Sequence, residues 1–540
     1  MNAFQTLDWI VVGIYFLIVL GIAWWGMRQR QDSSADYFLA GRHVGWFVVG
    51  ASIFASNIGA EHIVGLAGTA AKTGVAMGMY ELHSWLVLVL GWVFVPFYMR
   101  SRVFTMPEFL EKRYSSTARW FLSLTALISY VLTKVAVNVY AGAVVFQVLM
   151  GIDFWTGALI ILALTGIYTV LGGLRAVVYT EALQAIVLIG GSAVVAIAGL
   201  IKLGGWSNLV SLAGSDHLNL FLPANHPEFP WPGMVLAPPI VGLWYWCTDQ
   251  YIVQRALAAK NETQARRGSI FASYLKLSPF FIFILPGVMA YALAKSGQIS
   301  LDRADMAFPV MVRALLPIGL RGLVVGGLLA ALMSSLAAVF NSCSTLFTMD
   351  IYKKIKPESS EKKLVRVGRI ATGVVVLTGV LWIPLMKNIS SELYHYLQSV
   401  QAYLGPPIAA VFLLGVFWKR INAKGAVTAL VGGFGLGMIR LAAELNKGNL
   451  SGWLHQFATV NFLYFCVALF LVSIGAMIVV SLLTPAPSAQ SIEGLTYATT
   501  VAADRAKSRA SWNFLDVLLS LIVVVVLVFV FLYFSPLFMK

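Results

Sequence analysis

The sequence predicts an all-α polytopic membrane protein, and three observations carry that prediction. Hydrophobic residues fill 59% of the 540 positions and charged residues only 11%, with a mean hydropathy of +0.81, too apolar a balance for a soluble domain. Apolar runs of about 20 residues, each able to cross ~30 Å of hydrocarbon as a helix, recur with short polar breaks between them. The basic residues behind the net charge of +15 fall in alternate breaks, as the positive-inside rule requires, so nucleic acid is not implied as a partner.

There are about fourteen such runs. They centre on residues 8–27, 45–71, 75–99, 118–148, 154–172, 177–202, 233–256, 267–294, 320–350, 367–387, 391–418, 424–444, 458–483 and 512–537. The first is too long for a signal-peptide core and lacks a basic stretch before it, so it reads as a retained helix. Arg28, Arg30 and Arg42 follow the first run, Arg100, Arg102, Lys112 and Arg113 the third, Arg255, Lys260, Arg266 and Arg267 the seventh, and Lys353, Lys354, Lys356, Lys362, Lys363 and Arg366 the ninth. Those loops are expected in the cytoplasm, which leaves both termini and the loop at 203–232 outside. The polar stretches are too short for a separate core, so residues 1–540 form one membrane domain. Cys247, Cys343 and Cys466 lie inside apolar runs and imply neither a disulfide framework nor a metal site. The triplets beginning at Asn388 and Asn449 fit a glycosylation pattern, but such triplets are common by chance.

Two runs are interrupted: Ser56-Asn57-Ile58-Gly59 breaks the second, and Pro238-Pro239 with Gly242 breaks the seventh. Broken membrane helices expose backbone carbonyls and amides, and a matching pair five runs apart points to an inverted-repeat transporter with a site at mid-membrane. Gly and Pro also serve helix packing, so the breaks alone leave both readings open.

Charged side chains within hydrocarbon cost ~2.5 to 3.5 kcal/mol each on insertion scales, and each calls for a partner, a cavity or a role. Glu61, Glu81, Lys134, Glu181, Asp249 and Lys276 are such residues. The i, i+3 spacing of Glu81 and Ser84 would put them on one helix face, and Gln398 and Gln401 repeat that spacing. An uncharged polyol needs mixed donors and acceptors and a flat ring to stack on; Asn57, His62, Glu81, Ser84, Lys276 and Gln398 with Tyr245 and Trp246 supply that set. Any one of them also fits a hydrogen bond between helices, and only the collective pattern favours a site. Ser334 and Ser335, in the run that holds Ala331, offer hydroxyls to a cation, and an unwound stretch near Ala55 and Ile58 offers carbonyls; small residues serve close packing equally well. No Walker loop, His-Glu-x-x-His or nucleophile elbow is present, so neither an enzyme nor an ATP-driven pump is expected.

The motif Phe54-Ala-Ser-Asn-Ile-Gly59 followed by His62-Ile-Val-Gly-Leu-Ala-Gly68 resembles the first core helix of the sodium/glucose cotransporters within the sodium:solute symporter family. Asp36-Tyr-Phe-Leu-Ala-Gly-Arg42, Thr105-Met-Pro-Glu-Phe-Leu110, Trp244-Tyr-Trp-Cys-Thr-Asp-Gln250, Thr345-Leu-Phe-Thr-Met-Asp-Ile-Tyr352 and Tyr403-Leu-Gly-Pro-Pro407 agree with it in order. The resemblance implies a leucine-transporter-like core of two inverted five-helix repeats at 45–202 and 233–418, with flanking helices at 8–27 and 424–540. It implies a sugar site at Asn57, His62, Glu81, Ser84, Tyr245, Trp246, Lys276 and Gln398, with Tyr245 closing it toward the cytoplasm. It implies a sodium site made by the carbonyls of Ala55, Ile58 and Ala331 and the hydroxyls of Ser334 and Ser335.

Five positions depart from the pattern. Ala337 and Ala338 stand where relatives with a second sodium carry hydroxyls, so one sodium per sugar is expected. Glu181 replaces an Asp. Gly242 removes a side chain that some relatives use on the sugar, and Gln401 replaces a smaller polar group. The function implied is sodium-driven import of a neutral hexose, glucose or galactose. Myo-inositol as substrate, proton coupling through Glu81 or Glu181, and a non-transporting sugar sensor are the rivals. The expected partners are the sugar, sodium and the lipid bilayer, with no obligatory protein partner, and the compact chain points to a bacterial inner membrane.

Overall fold

The computed structural model describes residues 4–29, 31–59, 61–386 and 393–539; Arg30 and Asn388 lie outside them. Among the described residues every long element is a helix, and eleven helices are long and apolar enough to cross a membrane. Two of these each contain two crossings: Glu61–Ser101 spans 41 residues and Phe154–Leu203 spans 50. With the apolar helix Trp231–Cys247 added, the expected count of about fourteen is recovered.

The elements that build the centre are α1 (Thr6–Met27), α2 (Trp46–Asn57), α3 (Ala67–Thr73), α4 (Ala136–Val145), α5 (Phe154–Leu203), α6 (Trp231–Cys247), α7 (Gln250–Leu257), α8 (Glu262–Leu275), α9 (Leu320–Thr345) and α10 (Leu393–Phe417). α2 packs along α8 and against α5, α7 and α9, while α5 lies against both α1 and α9. The reversal inside α5 is made at Gly173, whose φ of 56° suits glycine and whose Cα lies so close to the Tyr37 carbonyl that a Cβ would meet it at 2.7 Å. α1 is pinned by Asp8, which accepts from the Gly319 and Gly322 amides at 2.7 and 3.1 Å and pairs with Arg321 at 3.2 Å.

The first interruption falls where the sequence puts it. α2 stops at Asn57, Ile58 is extended (φ −81°, ψ 110°), and the chain resumes as a π-helical turn, Glu61–Leu66, that runs into α3. The second does not. Pro238 and Pro239 sit inside the unbroken α6, where each removes one amide donor without ending the helix. The break comes later, at Thr248 (φ −137°, ψ −13°), because the Asp249 carboxylate accepts from the Tyr251 amide at 3.3 Å and starts α7 as a new helix.

Arg255 is the other correction. The charge pattern assigns it to a cytoplasmic loop, yet it is fully buried in α7 and pairs at 3.0 Å with the equally buried Glu181 of α5. Ser52 and Ser56 of α2 both donate to that carboxylate, so three helices meet on one ion pair. Arg255→Met would leave Glu181 charged and unpaired, and should destabilise the protein by about 3 to 5 kcal/mol, read as a lower melting temperature in detergent. The double variant Glu181→Gln, Arg255→Met should recover most of the loss, because no charge is then stranded.

Candidate functional site

The interruption after α2, the turn at Glu81, the end of α6, the end of α8 and the first half of α10 converge on one cavity. Asn57, His62, Glu81, Tyr245, Trp246, Lys276, Gln398 and Gln401 all line it. Of the sugar-site candidates only Ser84 does not. Glu81 lies in a turn after the 3₁₀ segment Gly74–Tyr80, and Ser84 opens a separate helix, so their i, i+3 spacing puts them on no common face. Ser84 is fully buried behind the cavity.

Lys276 organises the floor. It caps α8, where a cation meets the negative end of the helix dipole, and its ammonium donates to Asn57 Oδ1 at 2.8 Å and pairs with Glu81. Asn57 turns its amide to the Tyr245 hydroxyl at 3.1 Å. His62 faces Glu81 with Nε2 at 3.3 Å, and its Nδ1 accepts the Gly59 amide at 3.4 Å. The Tyr245 and Trp246 rings meet edge to face, 5.1 Å between centroids, and form one wall. The Gln398 Oε1 is buried and accepts no hydrogen bond among the described residues.

Three polar residues of the lining were missed as site candidates: Glu61, Tyr80 and His83. Glu61 was legible as a buried charge but had no spacing to tie it to the others. His83 could be read only through its neighbour: a Cβ on Gly242 would lie 3.0 Å from His83 Nδ1, so the bare helix face at 242 makes room for this imidazole.

Beneath the cavity, Lys134 pairs with Asp249 at 2.8 Å and lies 3.9 Å from the Tyr251 ring centroid, 4.8 Å from Tyr245 and 4.9 Å from Tyr130. Tyr251 reaches across to the cation candidates. Its hydroxyl bonds the Ser56 carbonyl and lies 3.0 Å from Ser335 Oγ, which joins the end of α2 to α9. The Gly59 amide, which a continuing helix would give to the Ala55 carbonyl, is turned to His62 instead. Ala55, Ile58, Ala331, Ser334 and Ser335 are all buried, and Ser334 Oγ makes no hydrogen bond among the described residues. Hydroxyl and carbonyl oxygens of this kind suit a hard monovalent cation; no cluster of three or more His, Cys, Asp or Glu suited to a transition metal occurs among the described residues.

The chain was compared with known proteins. The family model described as sodium:solute symporter family matches residues 37–433. Sodium/glucose cotransporter 1 of Oryctolagus cuniculus is 39% identical over 518 residues, covering 88% of this chain and 78% of the relative. Sodium/myo-inositol cotransporter 2 of the same species is 40% identical over 533 residues, covering 91% and 79%. Among solved structures, a substrate-bound, outward-open Na⁺-coupled sialic acid symporter has a TM-score of 0.77 at 21% identity over 90% of this chain and 99% of that one. Mhp1, a nucleobase-cation-symport-1 family transporter, has a TM-score of 0.52 at 13% identity, over 90% of this chain and 100% of that one. The structural likenesses establish a leucine-transporter-like fold. On the family match and the identity to these relatives together, the chain belongs to the sodium:solute symporter family: it is an integral membrane transporter rather than an enzyme, with sodium as its co-transported ion.

Proposed function

We propose that this symporter imports a neutral hexose, glucose or galactose, with one sodium bound beside Ser335 for each sugar. The observation that carries the reading is the cavity itself. Asn57, His62, Glu81, Lys276, Gln398 and Gln401 offer both donors and acceptors around one space, Tyr245 and Trp246 supply an aromatic wall, and Lys276 neutralises Glu81. A substrate with many hydroxyls and no charge is what such a lining satisfies. The names of the two rabbit cotransporters support the same class, and myo-inositol is the second reading that they favour. Gly242 bears on the choice, since it leaves His83 rather than a residue of α6 to meet a hydroxyl on that side.

In this reading the repeats run over residues 45–202 and 233–418 of a single membrane domain, the basic loops face the cytoplasm of a bacterial cell, and both termini lie outside. Sodium takes the carbonyls of Ala55, Ile58 and Ala331 with the hydroxyls of Ser334 and Ser335, and so holds the end of α2 against α9. That fixes Asn57, two residues beyond Ala55, in the cavity, and the ion thereby raises affinity for sugar; by linkage the sugar raises affinity for the ion. Ala337 and Ala338 offer no hydroxyl for a further ion next to the serine pair. Inward release requires Tyr245 to leave Asn57, and the membrane potential adds ~2.3 kcal/mol per charge per 100 mV.

Protein reconstituted in liposomes should accumulate labelled glucose or galactose under an inward sodium gradient, lose that accumulation when choline replaces sodium at fixed pH, and lose at least about tenfold in rate in Gln398→Ala, the equivalent of ~1.4 kcal/mol. Accumulation of myo-inositol alone would move the substrate to the second reading; uptake driven by protons without sodium would overturn the coupling. Ser335→Ala should raise the sodium concentration for half-maximal uptake about tenfold while leaving the maximal rate at saturating sodium within about twofold.

A further inference from the structure

One carboxylate in the cavity takes no part in this scheme. Glu61 opens the π-helical turn that follows the α2 break, and its Oε2 is buried without a hydrogen-bond partner among the described residues. Asn138 of α4, only 2% exposed, donates its amide to the Lys134 carbonyl at 2.8 Å, and its Oδ1 is likewise buried and unpartnered. The two oxygens are neighbours: a Cβ on Gly59 would run into both. Two acceptors, one of them a carboxylate, share a space with no donor between them.

The nearest basic groups leave Glu61 Oε2 itself without a partner. Lys134 pairs with Asp249 and Lys276 with Glu81, and neither ammonium forms an ion pair with Glu61 among the described residues. His62 Nδ1 lies 3.8 Å from Oε1, the other oxygen of the Glu61 carboxylate. An imidazolium at His83 would leave its Nε2 proton buried and unpaired. A buried carboxylate oxygen without a partner is expensive, and one monovalent cation between the two oxygens would offset the cost and satisfy both acceptors.

We propose that Glu61 Oε2 and Asn138 Oδ1 form a second sodium site, against the Gly59 backbone and separate from the one at Ser335. The one-to-one ratio above concerns the ion at Ser335; this ion is a component of the sugar cavity wall, and the inference is about its binding. It rests on the symporter reading only in taking sodium as the occupant. Glu61→Gln replaces the carboxylate with a group that can donate to Asn138 Oδ1, so the variant should fold and no longer need the ion.

Equilibrium binding of ²²Na⁺ to the purified full-length protein in detergent counts the sites without transport. Two ions per wild-type chain are expected at saturation, one in Glu61→Gln and one in Asn138→Leu, while Ser335→Ala should still bind two, one of them about tenfold more weakly. An equal count in wild type, Glu61→Gln and Asn138→Leu would overturn the second site and mean that a proton or a water lies between the oxygens. Loss of an ion in Glu61→Gln together with unchanged sodium affinity in Ser335→Ala would support the second site and overturn the first, so the two proposals fail separately.

Discussion

Everything at the centre of this protein depends on what satisfies the backbone where its two interrupted helices stop. In hydrocarbon no water replaces a lost helical hydrogen bond, so each freed carbonyl and amide must find a partner in the protein or in a bound ion. At the first break the Gly59 amide turns to His62 and the Ser56 carbonyl takes the Tyr251 hydroxyl. At the second, Asp249 takes the Tyr251 amide. Tyr251 therefore touches both breaks, and its hydroxyl also reaches Ser335 on α9. A single residue ties the two helix breaks to the helix that would hold the ion.

Buried ion pairs complete the frame. Glu181 with Arg255, Lys134 with Asp249 and Lys276 with Glu81 each join helices distant in sequence, and each is screened from water. Desolvation offsets much of the attraction in such pairs, so their worth lies less in net stability than in fixing which helices meet and where. The consequence for function is geometric: Lys276 holds Asn57 and Glu81 in one place, and both are then aimed at the same cavity.

Much of this was legible in the sequence. Length and hydropathy give the spans, because a bilayer imposes one thickness on every crossing, and the family-like motifs bring eight of the nine proposed sugar contacts to one cavity. What failed did so for identifiable reasons. Pro238 and Pro239 are helix breakers by local chemistry, but a membrane helix tolerates the missing donors and the break moves to the residue, Asp249, that can cap a new start. Ser84 was grouped with Glu81 by helical spacing across a stretch that is not helical. Arg255 looked like a loop residue because positive charge is usually outside the core, and its partner Glu181 lies 74 positions away. Tyr251, His83 and the Glu61–Asn138 pair depend on long-range packing that no local pattern reports.

The central claim is that sodium at the end of α2 shapes the sugar cavity. Equilibrium binding of labelled hexose to the purified protein, titrated with sodium at constant ionic strength, tests it without any membrane gradient. The account predicts that sugar affinity rises at least about tenfold between choline and saturating sodium, and that Ser335→Ala shifts this rise to higher sodium. Sugar binding of equal affinity in choline and in sodium would contradict it.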